Sequence, residues 1–233
     1  VTGTVGKTTV TFLAAELLSS EKGRFHAIGN IGAPMLDFLA RENSTEGEAG
    51  VVIELSSYQL EHLQRYHSAV VIMTNCYQNH LDRHKSFESY LKAKLKIIEA
   101  NDGLETIILP ASLWAMPIVK KCIEVISHDL TLLVTQDDFS CANRADHNFI
   151  SYEKNAKNNN TQNKQVINFY YNQKIIRAYE ENTHDKELHD QEDMPVFDVE
   201  LEKFPTLTVP ANILQLAALL YAHKFSQERI RER

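Results

Sequence analysis

The chain opens with residues whose types and spacing could bind phosphate. Residues 3–9, "GTVGKTT", fit the pattern G-x-x-G-K-[ST]. Glycines let the backbone curl so that its N–H groups point at phosphate oxygens, Lys7 adds a positive charge, and the Thr8 hydroxyl can ligate Mg²⁺. The full pattern has a glycine five residues before Gly6, where this chain has Val1, so the match is to a shorter phosphate loop.

A helix that begins at this loop would strengthen the interpretation. The stretch "TTVTFLAAELLSSEKG" places Val10, Leu13, Leu17 and Leu18 on one stripe and ends at Gly23. Its positive dipole end would point at the same phosphates. An ordinary glycine turn is the alternative, and a following series of βα units would argue against it.

The rest of the chain has the pattern of such a series. Short apolar runs rich in Val and Ile predict strands at "FHAIGN", "GVVIEL", "AVVIMTN", "TIILP" and "LTLLVT". Between them, helices are predicted at "PMLDFLAREN", "SFESYLKAKLKIIEAN" and "LWAMPIVKKCIEVI". This alternation predicts an α/β fold: a mostly parallel, doubly wound sheet flanked by helices.

Residues 136–195 differ from this pattern. They have few aliphatic residues and two polar tracts, which predict a polar excursion. Within it, "QVINFYYNQKIIRAYE" has two β-prone runs around Asn172 and Gln173, which predict a β-hairpin. A last helix is predicted at "ANILQLAALLYAHKF".

Composition excludes several function classes. The chain has 24 Lys and Arg against 31 Asp and Glu, a net charge of −7, without a basic run, so a nucleic-acid partner is not expected. Cys76, Cys122 and Cys141 lack a C-x-x-C spacing, which favours a reducing compartment, and we expect the cytoplasm. No apolar run is long enough to span a bilayer, so we expect no membrane partner.

Five motifs in order resemble a known family. They are "GTVGKTT", "GNIGAP" at 29–34, "ELSSYQLE" at 54–61, "TNCYQNHLDRH" at 74–84 and "YLKAKLKIIE" at 90–99. Together they resemble the central ATP-binding domain of the Mur ligases of peptidoglycan synthesis. "GNIGAP" and "ELSSYQLE" are most similar to its D-glutamate-adding members. A fainter similarity resumes at "PANILQLAALLYA".

The resemblance implies an ATP-dependent amide ligase. It would join D-glutamate to UDP-N-acetylmuramoyl-L-alanine through an acyl phosphate, with Mg²⁺, and we expect a monomer. Residues 1–225 would form the central domain, cut short at the phosphate loop, and 226–233 would begin the linker to an absent C-terminal domain. The chain would then lack both neighbouring domains, and ligation by it alone is not expected.

The resemblance also assigns candidate site residues. Lys7, His80 and Lys94 would be catalytic, with Lys94 carbamylated by CO₂. The metal ligands would be Thr8, Glu54, His80 and the Lys94 carbamate. Asn30, Ser56, Gln59 and His80 would bind the muramoyl substrate, with Ser57 supporting the same region. ATP would contact a set drawn from the loop and the last helix: Gly3, Thr4, Gly6, Lys7, Thr8, Thr9, Asn212 and Gln215.

Structural alternatives exist for the main candidates. Glu54 could cap the following turn, and His80 and His84 could be surface residues of a chain with ten histidines. Lys94 is one of three lysines in "LKAKLK", a pattern typical of a solvated helix face.

The sequence also departs from the family pattern. Val5 and Asn79 replace the usual asparagine and aspartate, and the loss of charge at Asn79 should weaken the orientation of the His80 imidazole. Ala211 replaces a histidine and Gln215 an asparagine. These departures leave two alternatives open: a degenerate, non-catalytic nucleotide-binding module, or another Mur or folylpolyglutamate synthase-type ligase.

Overall fold

The computed structural model describes residues 1–32, 34–40, 48–135, 164–172, 175–180, 197–200 and 210–224. Helices and strands alternate along most of these ranges. In chain order they are α1 (Lys7–Lys22), β1 (Arg24–Gly29), α2 (Met35–Leu39), β2 (Glu48–Glu54), α3 (Ser57–Glu61), β3 (Val70–Ile72), α4 (Leu81–His84), α5 (Phe87–Glu99), β4 (Thr106–Pro110), α6 (Ala111–Trp114), α7 (Pro117–Glu124), β5 (Leu130–Thr135), β6 (Lys164–Asn172), β7 (Ile175–Glu180), β8 (Phe197–Glu200) and α8 (Pro210–Ala222).

The strands form two hydrogen-bonded groups. β1 pairs with β2 in parallel, and β3, β4, β5 and β6 pair in parallel in that order. β7 and β8 continue the second group in antiparallel pairing. The predicted hairpin is confirmed, because Asn172 of β6 pairs with Ile175 of β7.

The first two residues join the two groups. The amide nitrogen of Leu55 donates to the carbonyl of Val1 at 2.9 Å, on the β2 side. On the β3 side, Thr2 donates to Ile72 at 2.9 Å and accepts from Thr74 at 2.8 Å. Val1 and Thr2 therefore occupy a strand position between β2 and β3, and the phosphate loop follows immediately.

Apolar side chains cover both faces of the sheet. On one face, Ile72, Ile108 and Leu133 pack with buried residues of α1 and α8. On the other, Val71, Ile107 and their alternating neighbours pack with buried residues of α5 and α7. Since both faces are buried, the strands have continuous apolar sequences, and the predicted doubly wound α/β fold is confirmed.

One predicted helix is wrong. The stretch "LWAMPIVKKCIEVI" does not form one helix, because α6 ends at Trp114 and α7 begins at Pro117. Proline lacks an N–H and clashes with the preceding turn, so it starts a helix rather than continuing one. Most of the polar excursion, Cys141 and residues 226–233 lie outside the described residues. Among the described helices, none has the length and apolar character needed to cross a membrane.

The end of β1 is fixed by a glycine. Gly29 has φ of 109°, and a Cβ there would overlap the backbone carbonyl of Glu54. We expect Gly29→Ala to lower the free energy of unfolding by about 2 kcal/mol or more, because the left-handed backbone and the overlap both oppose a side chain. Urea unfolding measures this loss.

Gly32, in the same motif, is the matched control. Nothing lies within 4 Å of the position that its Cβ would occupy. Gly32→Ala should leave the urea midpoint within the range of ordinary surface substitutions, about 0.5 kcal/mol. Equal losses in the two variants would contradict the close approach of β1 and β2.

Candidate active site

Three chain segments meet at one edge of the sheet. The phosphate loop follows Thr2, Glu54 ends β2, and residues 74–80 follow β3. Thr2 lies between β2 and β3. After Thr2 the chain passes through α1 and forms β1 and β2 on one side of Thr2, and it then crosses to form β3 on the opposite side. Such a switch point opens a crevice at the carboxyl ends of parallel strands, where open α/β sheets bind ligands.

The phosphate loop is held by Thr74 and Asn75, two residues of the segment after β3 for which the sequence predicted no role in the site. The Asn75 carboxamide oxygen accepts from the backbone nitrogens of Thr4 and Val5, each at 3.0 Å. Its Nδ2 donates to the Val5 carbonyl at 3.0 Å, and the Thr74 hydroxyl donates to the same carbonyl at 2.7 Å. Only the main chain of Val5 is used, and its side chain is 56% exposed. The contacts that hold the loop at this position therefore do not depend on the valine side chain.

The start of α1 is suited to an anion. Gly6 is its N-cap in the left-handed conformation, φ 80°, without a side-chain cap, and the first turn has no acidic residue. Uncapped N–H groups at a helix N-terminus attract phosphate. The Lys7 ammonium donates to the Thr4 carbonyl at 2.9 Å, so the cation lies over its own loop. Thr9 belongs to the same first turn.

Glu54 connects the loop to the segment after β1. Its side chain is 1% exposed. Its Oε2 accepts from the Thr8 hydroxyl at 2.6 Å, and its Oε1 accepts from Asn30 Nδ2 at 3.1 Å. Glu54 is thus not the cap of the following turn. Carboxylate and hydroxyl oxygens are ligands that Mg²⁺ accepts, so the Thr8 and Glu54 pair fits this ion.

Ser56 and Gln59 also have a local structural role. The Ser56 hydroxyl accepts from the Gln59 backbone nitrogen, and the Gln59 side-chain oxygen accepts from the Ser56 nitrogen at 2.9 Å. This reciprocal pair is a capping box at the start of α3. The structure places neither side chain in contact with the phosphate loop.

Lys94 is buried beside the phosphate loop. It is 1% exposed, and its Nζ donates to the Gly3 carbonyl at 2.7 Å and lies 4.6 Å from the centre of the Tyr90 ring. Burial lowers the pKa of Lys94 to about 8. The neighbouring Lys92 and Lys96 are exposed and form ion pairs along the helix. The alternative of a solvated lysine is therefore wrong for Lys94 and right for its neighbours.

His80 lies at the start of α4 with an exposed side chain. It has a positive φ of 51°, and its Nδ1 is 3.2 Å from the Tyr58 hydroxyl. Its ring is also 6.2 Å from that of Tyr90, whose hydroxyl is 3.1 Å from the Thr4 hydroxyl. The Asn79 side-chain oxygen accepts from the His80 backbone nitrogen at 2.9 Å and not from the imidazole. Tyr58, not residue 79, is the polar neighbour of the ring.

His84 is not a surface residue. Its Nε2 is 3.0 Å from the Ser57 hydroxyl, and its Nδ1 is 3.0 Å from a carboxylate oxygen of Glu61. Arg83 donates to the other Glu61 oxygen through two nitrogens, at 2.8 and 3.2 Å. These contacts join α3 to α4, and the Arg83 hydrogen bond lowers the pKa of Glu61.

Asn212 and Gln215, on α8, lie beneath the loop rather than on the surface. A Cβ on Gly6 would be 2.8 Å from the Asn212 carboxamide oxygen. Gln215 is fully buried, and its Nε2 donates to the Thr74 carbonyl at 2.8 Å. The side chain of Gln215 thus supports the segment that braces the loop.

The structure brings most of the candidate residues together. Direct contacts join the loop residues to Glu54 and Lys94, and Glu54 to Asn30. His80 adjoins this group through Tyr90, whose ring contacts Lys94. Ser56 and Gln59 contact each other. Within the described ranges, no three His, Cys, Asp or Glu side chains gather as a metal site. The protein ligands of a metal ion at this site would therefore have to include the Thr8 hydroxyl or a modified Lys94.

Comparisons with known proteins give the family. The Mur ligase middle domain family matches residues 1–189. Over 99 residues the chain is 42% identical to the UDP-N-acetylmuramoylalanine–D-glutamate ligase of Geotalea daltonii. Over 97 residues it is 42% identical to the enzyme of the same name from Clostridioides difficile. Each alignment covers 42% of this chain and 21% of the relative, so the aligned segment spans about a fifth of those proteins.

Solved structures share the fold. The chain is similar to a UDP-N-acetylmuramoyl-L-alanyl-D-glutamate–2,6-diaminopimelate ligase, with a TM-score of 0.60 and 19% identity, over 99% of this chain and 44% of that one. It is also similar to the MurF ligase from Thermotoga maritima in complex with ADP, with a TM-score of 0.55 and 16% identity, over 96% and 44%. On the family match and the fold together, this chain belongs to the Mur ligase middle domain family.

Proposed function

We propose that the protein is an ATP-dependent ligase that joins D-glutamate to UDP-N-acetylmuramoyl-L-alanine in peptidoglycan precursor synthesis. One observation carries the reaction class: the buried Glu54 carboxylate binds Thr8 of the phosphate loop and Asn30 at the same edge. The relatives that share 42% identity are named as D-glutamate ligases, which supports the choice of amino acid.

The loop would bind the nucleotide. The uncapped start of α1 and the Lys7 ammonium would contact the phosphates of ATP, and Lys7 would leave the Thr4 carbonyl to do so. The substrate carboxylate would attack the γ-phosphorus, ADP would leave, and the acyl phosphate would remain. The amine of D-glutamate would then attack the acyl carbon and release phosphate, forming the amide.

The acidic side of the site would hold Mg²⁺. Thr8 and Glu54 would ligate one ion, and His80 with a Lys94 carbamate would ligate a second. Bound Mg²⁺ neutralises charge that develops on the transferring phosphoryl group. Asn30 would donate a hydrogen bond to the muramoyl substrate. We assign Asn212 to the nucleotide side of the site because of its proximity to Gly6.

Carbamylation of Lys94 is chemically reasonable at this position. The reaction with CO₂ requires a neutral amine, and a pKa of about 8 leaves a substantial neutral fraction near physiological pH. The carbamate would replace a buried cation with an anionic oxygen ligand. We place the ligase in the cytoplasm as a monomer; its free buried Cys76 and Cys122 fit a reducing compartment.

A phosphate-release assay tests the proposal. It uses this chain with whatever flanking sequence its gene encodes, with ATP, Mg²⁺, UDP-N-acetylmuramoyl-L-alanine and D-glutamate. We expect phosphate release that requires both substrates and is not supported by L-glutamate or diaminopimelate. Release with diaminopimelate instead would indicate another ligase of the family, and no substrate-dependent release would contradict the proposal.

Lys94→Ala in the same assay tests the carbamate. We expect turnover to fall by about 100-fold or more, because a metal ligand is lost, with partial rescue by small carboxylic acids. Lys92→Ala, on the exposed face of the same helix, is the control and should keep the turnover of the unmodified sequence. Full turnover of Lys94→Ala would refute the role of Lys94.

The buried amine also predicts a pH dependence of stability. The pKa of Lys94 is lower in the folded state than in the unfolded state, so the unfolded state binds more protons between about pH 8 and 10.5. Lys94→Met should therefore be more stable than the unmodified protein near pH 7, by about 2–3 kcal/mol. That advantage should shrink as the pH rises through this window.

Urea unfolding in CO₂-free buffer at several pH values measures this advantage. Lys92→Met is the control, because Lys92 is exposed. The difference in free energy of unfolding between Lys92→Met and the unmodified protein should not change across this pH window. A constant difference for Lys94→Met across the window would mean that Lys94 is not desolvated.

A further inference from the structure

His80 has one polar side-chain neighbour in the described structure, and that neighbour is a phenol. The Tyr58 hydroxyl lies 3.2 Å from Nδ1, and the two rings meet edge to face with centres 5.2 Å apart. Asn79 is occupied by the His80 backbone nitrogen. Each neutral imidazole has one N–H and one lone pair, so whatever binds Nδ1 decides what Nε2 can do.

Tyr58 is itself held firmly. The Arg83 guanidinium lies 5.2 Å from the centre of its ring, and the His84 ring lies 5.8 Å away. Glu61 binds both Arg83 and His84, so the four residues from α3 and α4 form one contact group. We call Tyr58, Glu61, Arg83 and His84 the α3–α4 clasp. It places the Tyr58 ring, which is 37% exposed, beside the helix that follows His80.

We propose that Tyr58 is a positioning residue for His80: its hydroxyl oxygen accepts a hydrogen bond from Nδ1–H and leaves Nε2 as the nitrogen that binds a divalent cation. This inference rests on the proposed function, which makes His80 a metal ligand. In metal sites the second nitrogen of a histidine donates to a carboxylate, a carbonyl or another oxygen, which sets the tautomer and the ring direction. Here a phenol oxygen supplies that acceptor.

The contact with Tyr58 also bears on the departure from the family pattern at Asn79. The Asn79 oxygen is used by the main chain, and the acceptor for the ring comes from α3, 22 residues earlier.

Histidine NMR tests the tautomer without any turnover. In metal-free protein labelled with [¹⁵N]histidine, long-range ¹H–¹⁵N correlations distinguish an Nδ1–H ring from an Nε2–H ring, and the His80 signals are assigned with His80→Gln. At about two pH units above the ordinary histidine pKa of about 6.5, we expect His80 to be mainly Nδ1–H. In Tyr58→Phe we expect a mixture of both forms, since the ring contacts remain but the acceptor is lost.

Mn²⁺ titration with a non-hydrolysable ATP analogue tests the consequence. Mn²⁺ should broaden the His80 signals, and Tyr58→Phe should need about 10-fold or more Mn²⁺ for the same broadening. Tyr77→Phe is the matched control, because Tyr77 is an exposed tyrosine that precedes the same helix. Among the described residues, Tyr77 makes hydrogen bonds through its main chain and not through its hydroxyl. It should match the unmodified protein in both experiments.

Three results would overturn the inference: His80 mainly Nε2–H in the unmodified protein, an unchanged tautomer in Tyr58→Phe, or equal Mn²⁺ broadening in the two proteins. The proposed function fails separately. If phosphate release is absent while Tyr58→Phe still changes the tautomer, the reaction is wrong and the Tyr58 contact stands. If phosphate release is present and the tautomer is unchanged, only the role of Tyr58 is wrong.

Discussion

The site depends on one buried carboxylate and the two donors that keep it satisfied. An ionised carboxylate without partners is expensive to bury, so Glu54 at 1% exposure needs hydrogen bonds. It receives them from Thr8 on the phosphate loop and from Asn30 after β1. Three segments that are distant in sequence thereby converge at one point. A divalent cation could take the place of the Thr8 proton at this carboxylate, because it also satisfies the charge and ligates both oxygens.

The loop itself depends on the segment after β3. Asn75 and Thr74 bind the main chain of Thr4 and Val5, and Gln215 supports Thr74 from below. The main chain of the phosphate loop is therefore held by side chains from another segment, and these contacts do not use the side chain of Val5. Lys94 holds the start of the loop, because its ammonium donates a hydrogen bond to the Gly3 carbonyl.

Much of the fold could be predicted from the sequence, because strands buried on both faces have continuous apolar runs and helices keep their period. The helical period of α5 also indicates that Lys94 is buried, because Lys94 lies four residues after Tyr90 and three after Leu91, on the apolar face of the helix.

The pairing of β6 with β5 could not be predicted, since 28 residues separate Thr135 from Lys164 and the local sequence pattern does not determine the register of the two strands. The contact between Tyr58 and His80 depends on how two short helices pack, and periodicity does not reveal it. Ser56 and Gln59 were predicted to contact the substrate, and the structure adds a helix-cap role that their spacing could have indicated.

The most direct test of the convergence at Glu54 is a crystal structure of the protein with Mg²⁺ and a non-hydrolysable ATP analogue. The account predicts phosphate oxygens within the loop of residues 3–8, the Lys7 ammonium moved from the Thr4 carbonyl onto them, and a cation bonded to Thr8 and close to Glu54. Nucleotide bound elsewhere, or a loop with Lys7 still on Thr4 and no cation beside Glu54 at saturating ligand, would contradict it.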